Sequence, residues 1–140
     1  MSTTPVAATH MIVLPGGGYA QHAPHEAEPV ARWLGEIGVQ ASVFRYPLNA
    51  RHPVPLDALR AEIRDRRAEG AQRIGLVGFS AGGHLAGLAA LAAAAVPHAV
   101  HMFSYGPHSL GLADNAGEPA IWPTLAQAWI GEQLQPARGR

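Results

Sequence analysis

The sequence has no cysteine, which excludes disulfide scaffolds, thiolate metal sites and sulfur nucleophiles, so any nucleophile it uses is an oxygen. Neither charge is in excess. Ten basic residues, all of them arginine, balance ten acidic ones, and charged residues make up only 14% of the chain. A net charge of zero gives no global field toward nucleic acid, anionic lipid or a strongly charged substrate, and leaves a small neutral molecule as the expected partner. Long apolar runs are absent too: the alanine-rich stretch 85–96 is shorter than a membrane span, and residues 1–10 lack a basic start followed by an apolar core. The expectation is a cytoplasmic protein with no membrane partner.

What is present is 48% hydrophobic residues in 140, the composition of a compact globular enzyme with one core. One domain over 1–140, with one site, is expected. His10–Leu14 is a short apolar run ending abruptly at Pro15-Gly16-Gly17-Gly18, as a buried strand entering a tight loop does. From His25, residues Val30, Trp33, Leu34 and Ile37 recur at helical spacing up to Gly38, and Val39–Tyr46 reads as a second strand closed by Pro47. Leu56, Leu59 and Ile63 form one stripe of an amphipathic helix ending near Gly70, and Arg73–Phe79 reads as a third, buried strand. Ala81–Ala95 has the composition of a helix packed closely on a sheet and stops before Pro97. His98–Ser104 is a plausible fourth strand, and Ile121–Leu134 a last helix with Trp122, Leu125, Trp129 and Ile130 on its apolar side. Alternating strands and helices predict an α/β fold, a mostly parallel sheet with helices on both faces. Ligands of such sheets sit beyond the carboxyl ends of the strands, which puts function in the loops after Leu14, Tyr46, Phe79 and Ser104.

Gly78-Phe79-Ser80-Ala81-Gly82 matches G-x-S-x-G between a predicted strand and a predicted helix, the context in which that pattern is a nucleophile elbow. A sharp strand-to-helix turn lifts the serine hydroxyl out of the sheet, and the helix N-terminus offers N–H groups to developing negative charge. A glycine-rich turn with a capping serine is the competing reading. Pro15-Gly16-Gly17-Gly18-Tyr19 follows the first strand, where such an enzyme places the other half of its oxyanion hole. Losing one oxyanion donor typically costs about 3–4 kcal/mol in the barrier. A phosphate-cradling loop would suit the same glycines, but no G-K-[ST] follows.

A serine hydroxyl needs a general base, and imidazole suits that work at neutral pH. Of eight histidines, His108 follows the last predicted strand and stands late in the chain, as the order serine, acid, histidine requires. His84, one helical turn after Ser80, reads as packed in the core or capping a contact, and His98 and His101 as structural. Tyr19, His22, Tyr46, His84, Tyr105 and Trp122 could line a pocket or simply pack.

The segments LPGGGYA, HEAEPVARWL, FRYPL, RIGLVGFSAGGHLAG and GPHSLGLAD, in this order, resemble the bacterial α/β-hydrolase esterases of the acetyl-xylan-esterase and BD-FAE type. The resemblance spans nearly the whole chain. It implies a reduced α/β-hydrolase fold without a cap domain, Ser80 as nucleophile, His108 as base, and Gly17, Gly18 and Ala81 as oxyanion donors. It further implies hydrolysis of short-chain, acetyl-type esters with neither cofactor nor metal. One departure stands out: no Asp or Glu lies between Ser80 and His108, where the family carries its triad acid on a strand before the histidine. Asp114 is then the first candidate for the acid, followed by Glu26, a carboxylate of a partner subunit, or a bare Ser-His dyad. Loss of that strand and its neighbour would expose apolar surface, which predicts a homo-oligomer. A non-catalytic relative serving as a binding or assembly module is the alternative function.

Overall fold

The computed structural model describes residues 8–91, 111–112 and 118–135. The elements are β1 (Thr9–Leu14), α1 (Glu28–Glu36), β2 (Gln40–Val43), α2 (Val54–Ala68), β3 (Arg73–Gly78), α3 (described over Ala81–Leu91) and α4 (Trp122–Leu134). Short 3-10 turns at Pro24–Glu26 and Glu118–Ile121 precede α1 and α4. The strands form one parallel sheet in the order β2-β1-β3. The expected strand His98–Ser104 and the continuation of α3 to Ala95 lie outside the described residues.

β1 is central because its side chains can be buried on both faces: Met11 is 4% exposed, and Ile12, Val13 and Leu14 are fully buried. Strand alternation sends Ile12 and Leu14 to one face, where they pack with Leu56 and Leu59 of α2 and Leu85 and Ala89 of α3. Met11 and Val13 go to the other face, against Val30 and Leu34 of α1 and Ile130 of α4. Helices on both faces are therefore a direct consequence of the unbroken run MIVL. β3 is half-buried rather than buried, since it is an edge of the sheet among the described residues. No helix among the described residues is long and apolar enough to cross a membrane.

Several boundaries differ from the sequence reading, each for a local reason. The first helix begins at Glu28, not His25, because Ala27 adopts φ −110 and ψ −107, outside the helical region, and His25 belongs to the preceding 3-10 turn. The second strand is Gln40–Val43, shorter than Val39–Tyr46. Phe44 N–H still donates to Val13 O at 2.9 Å, but the partner strand ends at Leu14, and Pro15 has no N–H with which to extend the ladder. β3 ends at Gly78 rather than Phe79, although Phe79 N–H continues the pairing to Leu14 O at 3.0 Å. α2 stops at Ala68, and Gly70, at φ 108, turns the chain toward β3. Ile121 caps α4 rather than belonging to it.

From β1 the chain crosses by α1 to β2 on one side; from β2 it crosses by α2 to β3 on the other. The helices after β1 and β3, α1 and α3, therefore lie on opposite faces, the arrangement in which ligands of such sheets sit beyond the carboxyl ends of the two neighbouring strands. In register, the last residues of the two strands, Leu14 and Gly78, stand opposite each other. The glycine loop and the G-x-S-x-G turn thus start side by side.

Candidate active site

Ser80 is exposed and has φ 51, a left-handed conformation rarely adopted by a residue with a side chain. Such strain costs about 1–3 kcal/mol and persists only where the surroundings enforce it. Here Gly82 N–H donates to Phe79 O at 2.9 Å, and His84 N–H closes the first turn of α3 onto Ser80 O at 2.9 Å. The turn is tight because α3 starts almost against the sheet. A side-chain carbon at Gly82 would stand 2.0 Å from Leu14 O and 2.7 Å from Pro15 O.

Opposite the elbow, Gly17, Gly18 and Tyr19 have φ 137, 65 and 61. Gly17 O accepts from Ala20 and Gln21 N–H at 3.1 and 3.2 Å, and Gly16 O accepts from Ala23 N–H at 2.8 Å, which folds the loop back on itself. A side chain at Gly17 would meet Gln21 O at 2.1 Å, so the loop can form only with glycine there. Among the described residues, the loop and turn hydrogen bonds use none of the N–H groups of Gly17, Gly18 and Ala81. The structure brings these three predicted donors and Ser80 to one end of the sheet.

Around this core the side chains interlock. Tyr46 is 1% exposed and its hydroxyl donates to Pro15 O, tying the loop after β2 beneath the glycine loop. Burial, then the neighbouring Tyr19 and Glu26, push its phenol up to about 12, so it remains a donor. His22 Nε2 donates to Tyr46 O at 3.0 Å, its ring edge-on to that of Tyr46. Tyr19 is half-buried, its phenol raised by burial, and is hydrogen-bonded through its hydroxyl to His84 Nδ1 at 2.7 Å. His84 is therefore not packed in the core, the first of the two places its position in the sequence suggests; it makes a side-chain contact, with Tyr19. Ala81, Leu85 and Ala89 take the buried stripe of α3, which leaves His84 exposed on the same side as Ser80. Trp122 packs edge-on to Phe79 and Trp33 and donates from Nε1 to Gly111 O at 2.9 Å, which makes it packing behind the elbow.

Glu26, second to Asp114 as a candidate acid in the sequence, has a more prominent place in the structure. It is 1% exposed, and its Oε1 has no hydrogen-bond partner among the described residues. A side-chain carbon at Gly16 would lie 2.8 Å from that oxygen, 2.9 Å from Phe79 O and 3.1 Å from Ser80 Cβ. The carboxylate, the glycine loop and the elbow converge on one point. Glu28, two residues on, is exposed and pairs with Arg45, whose hydrogen bond holds its carboxyl below the usual range. Nothing in the spacing of the two glutamates separates them; only the break at Ala27 does. His108, Asp114, His98, His101 and Tyr105 lie outside the described residues. Gly111, three residues after His108 in the sequence, packs on His25, next to Glu26: a carbon added there would meet His25 O at 2.7 Å.

No family model and no curated protein sequence matches the chain. Solved structures do. An acetyl ester-xyloside bifunctional hydrolase from Caldicellulosiruptor lactoaceticus is 40% identical with a TM-score of 0.56, over 63% of this chain and 35% of that one. A carboxylesterase from Lactobacillus plantarum WCFS1 is 36% identical (TM-score 0.51, 59% and 34% covered). A lipase/esterase from Lactobacillus plantarum is 34% identical (TM-score 0.53, 60% and 38% covered). The fold is that of the α/β-hydrolases. The chain spans about a third of the length of these structures. In α/β-hydrolase terms, the strained Ser80 turn stands where the nucleophile elbow belongs, and the loop after β1 where the second oxyanion segment belongs.

Proposed function

We propose that this chain is a serine carboxylesterase acting on small, neutral, acetyl-type esters. The observation that carries the reading is the pairing of Ser80, held at φ 51 on the turn into α3, with the glycine loop delivered by the neighbouring strand. In this reading Ser80 Oγ attacks the ester carbonyl while His108 takes its proton. The oxyanion is held by the N–H groups of Gly17, Gly18 and Ala81, which water would otherwise have to solvate. Collapse of the tetrahedral intermediate expels the alcohol, which receives the proton from His108, and leaves an acyl-Ser80 ester. Water, deprotonated by His108, attacks that ester and releases the acid and the free serine. The reaction balances without a cofactor.

The acid that orients His108 is assigned first to Asp114, six residues further along the chain, with Glu26 as the competing carboxylate. Replacing a triad acid by its amide leaves the base in the wrong tautomer and can cost about 10⁴-fold in turnover. Asp114→Asn is expected to lower kcat by at least tenfold with folding unchanged. Unchanged turnover would remove Asp114, and a loss in Glu26→Gln would then identify the other carboxylate.

The primary test is hydrolysis of p-nitrophenyl acetate by the wild type and Ser80→Ala, with folding matched by circular dichroism. Turnover that vanishes with Ser80 supports the esterase. The lack of any Asp or Glu between Ser80 and His108 favours a second reading, a non-catalytic binding module. Wild-type protein that neither turns over the ester nor is labelled at Ser80 by a fluorophosphonate would favour it over the esterase.

A further inference from the structure

The proposed oxyanion hole is assembled from two segments that different strands deliver. Gly17 and Gly18 follow β1; Ala81 follows β3. The pairing of Leu14 with Gly78 fixes where the segments begin, but both then leave the sheet through left-handed backbone, which glycine adopts freely at Gly17 and Gly18 but which is strained at Tyr19, φ 61, and at Ser80, φ 51. Strained backbone relaxes unless contacts hold it. The distance between the two sets of N–H groups therefore depends on what links the segments above the sheet.

Tyr19 and His84 supply such a link. His84 stands on the turn whose backbone closes onto Ser80 O, so its ring moves with the elbow. Tyr19 directly follows the two glycines; its own O accepts from Asn49 N–H at 2.7 Å, and its ring lies edge-on to both Tyr46 and His84. Backbone and ring together direct the hydroxyl at His84 Nδ1, 2.7 Å away. A bond between a half-buried phenol and an exposed imidazole adds little to net stability. Its consequence is geometric.

The geometry points to Tyr19 and His84 as positioning residues whose hydrogen bond sets the span between the two halves of the oxyanion hole. This rests on the esterase reading of Ser80. The pair acts through the Gly17, Gly18 and Ala81 amides and touches no reacting atom. Because those amides reach the substrate oxygen fully only once it is tetrahedral, an error in span penalises the transition state more than the bound ester. Misplacement by about 1 Å can cost up to roughly 10²-fold in rate.

The test compares Tyr19→Phe, His84→Ala, the double variant and His84→Asn on p-nitrophenyl acetate, each at matched thermal midpoint. Asparagine places a hydrogen-bonding atom where Nδ1 stands. Each of the first two is expected to lower kcat by about tenfold with KM within about twofold, as loss of a transition-state interaction requires. The double variant is expected to be no worse than either single, because one bond is lost in all three. His84→Asn is expected to recover most of the rate. Multiplying losses in the double variant, a change confined to KM, an asparagine as poor as alanine, or unchanged kcat in Tyr19→Phe would each overturn the inference while leaving the esterase intact. An inactive wild type would instead remove the esterase reading and the inference with it. If Tyr19→Phe does not fold, the contrast between His84→Ala and His84→Asn carries the test.

Discussion

At the residue scale, the site is built on places where a methyl group has nowhere to go. The atoms facing Gly82 are the carbonyl oxygens of Leu14 and Pro15, both backbone, so no rotamer change can relieve a clash there. Gly82→Ala is therefore expected to destabilise the fold by about 3 kcal/mol or more, since overpacking against rigid neighbours commonly costs 1–3. A lower denaturant midpoint at unchanged m-value would show it. His10 makes a separate test, at the far end of β1. Its Nε2 is hydrogen-bonded to Ser42 Oγ at 2.7 Å, and burial first, then Arg66, lower its pKa below 6.5 in the folded state, against the opposing pull of Glu62 and Glu69. The unfolded chain then binds a proton more readily than the folded one. His10 stabilises the fold relative to its protonated form above pH 6.5, and that contribution is lost as the pH falls below 6.5 toward the lowered folded value. His10→Gln is expected to flatten the decline of the thermal midpoint across that acidic window; an unchanged slope would show that other groups dominate it.

At the scale of elements, the sheet rests on one strand. β1 feeds both clusters, so truncating either flank removes support from the same place. Leu85→Ala on α3 and Leu34→Ala on α1, both 1% exposed in the structure, are expected to cost about 2–5 kcal/mol each, measured by urea unfolding. This scale also shows what was legible in the sequence. MIVL before three glycines, the stripes of α1 and α2 and the G-x-S-x-G turn are local signals, and each lies within a residue or a few of where it was read. The short β2 was not legible, because a strand's length depends on its partner's, and β1 stops at Pro15. The bond between Tyr19 and His84 was equally hidden. The sequence shows that His84 follows Ser80 by one turn, but which side of α3 is covered depends on where Leu85 and Ala89 meet the sheet. Glu26 and Glu28 look alike in sequence, and only the non-helical Ala27 between them turns one inward and the other toward Arg45.

At the scale of the molecule, the balance of faces and edges bears on association. Among the described residues both outer strands, β2 and β3, are sheet edges, and Val54, Ile121 and Leu91 are exposed by 49%, 49% and 87%. Strand edges without a neighbour among the described residues, and exposed apolar side chains, each invite association with another chain. The sequence leads to the same expectation by another route: resembling esterases carry an acid-bearing strand between serine and histidine, and the lack of any Asp or Glu between Ser80 and His108 implies the loss of that strand. We propose that the chain self-associates. Light scattering on the full chain at micromolar concentration is expected to give at least twice the monomer mass of 14.7 kDa. Leu91→Glu replaces the most exposed of these apolar side chains with a charge; burying a leucine is worth about 2 kcal/mol, so a contact that uses it should weaken measurably. A shift toward the monomer in Leu91→Glu would place the contact around Leu91 on α3, about 15 Å along the helix from the turn at Ser80. A shift absent in Leu91→Glu but present when the exposed Gln40 of β2 is charged, as in Gln40→Glu, would place it at the sheet edge instead. A wild type of monomer mass at micromolar concentration would end the proposal.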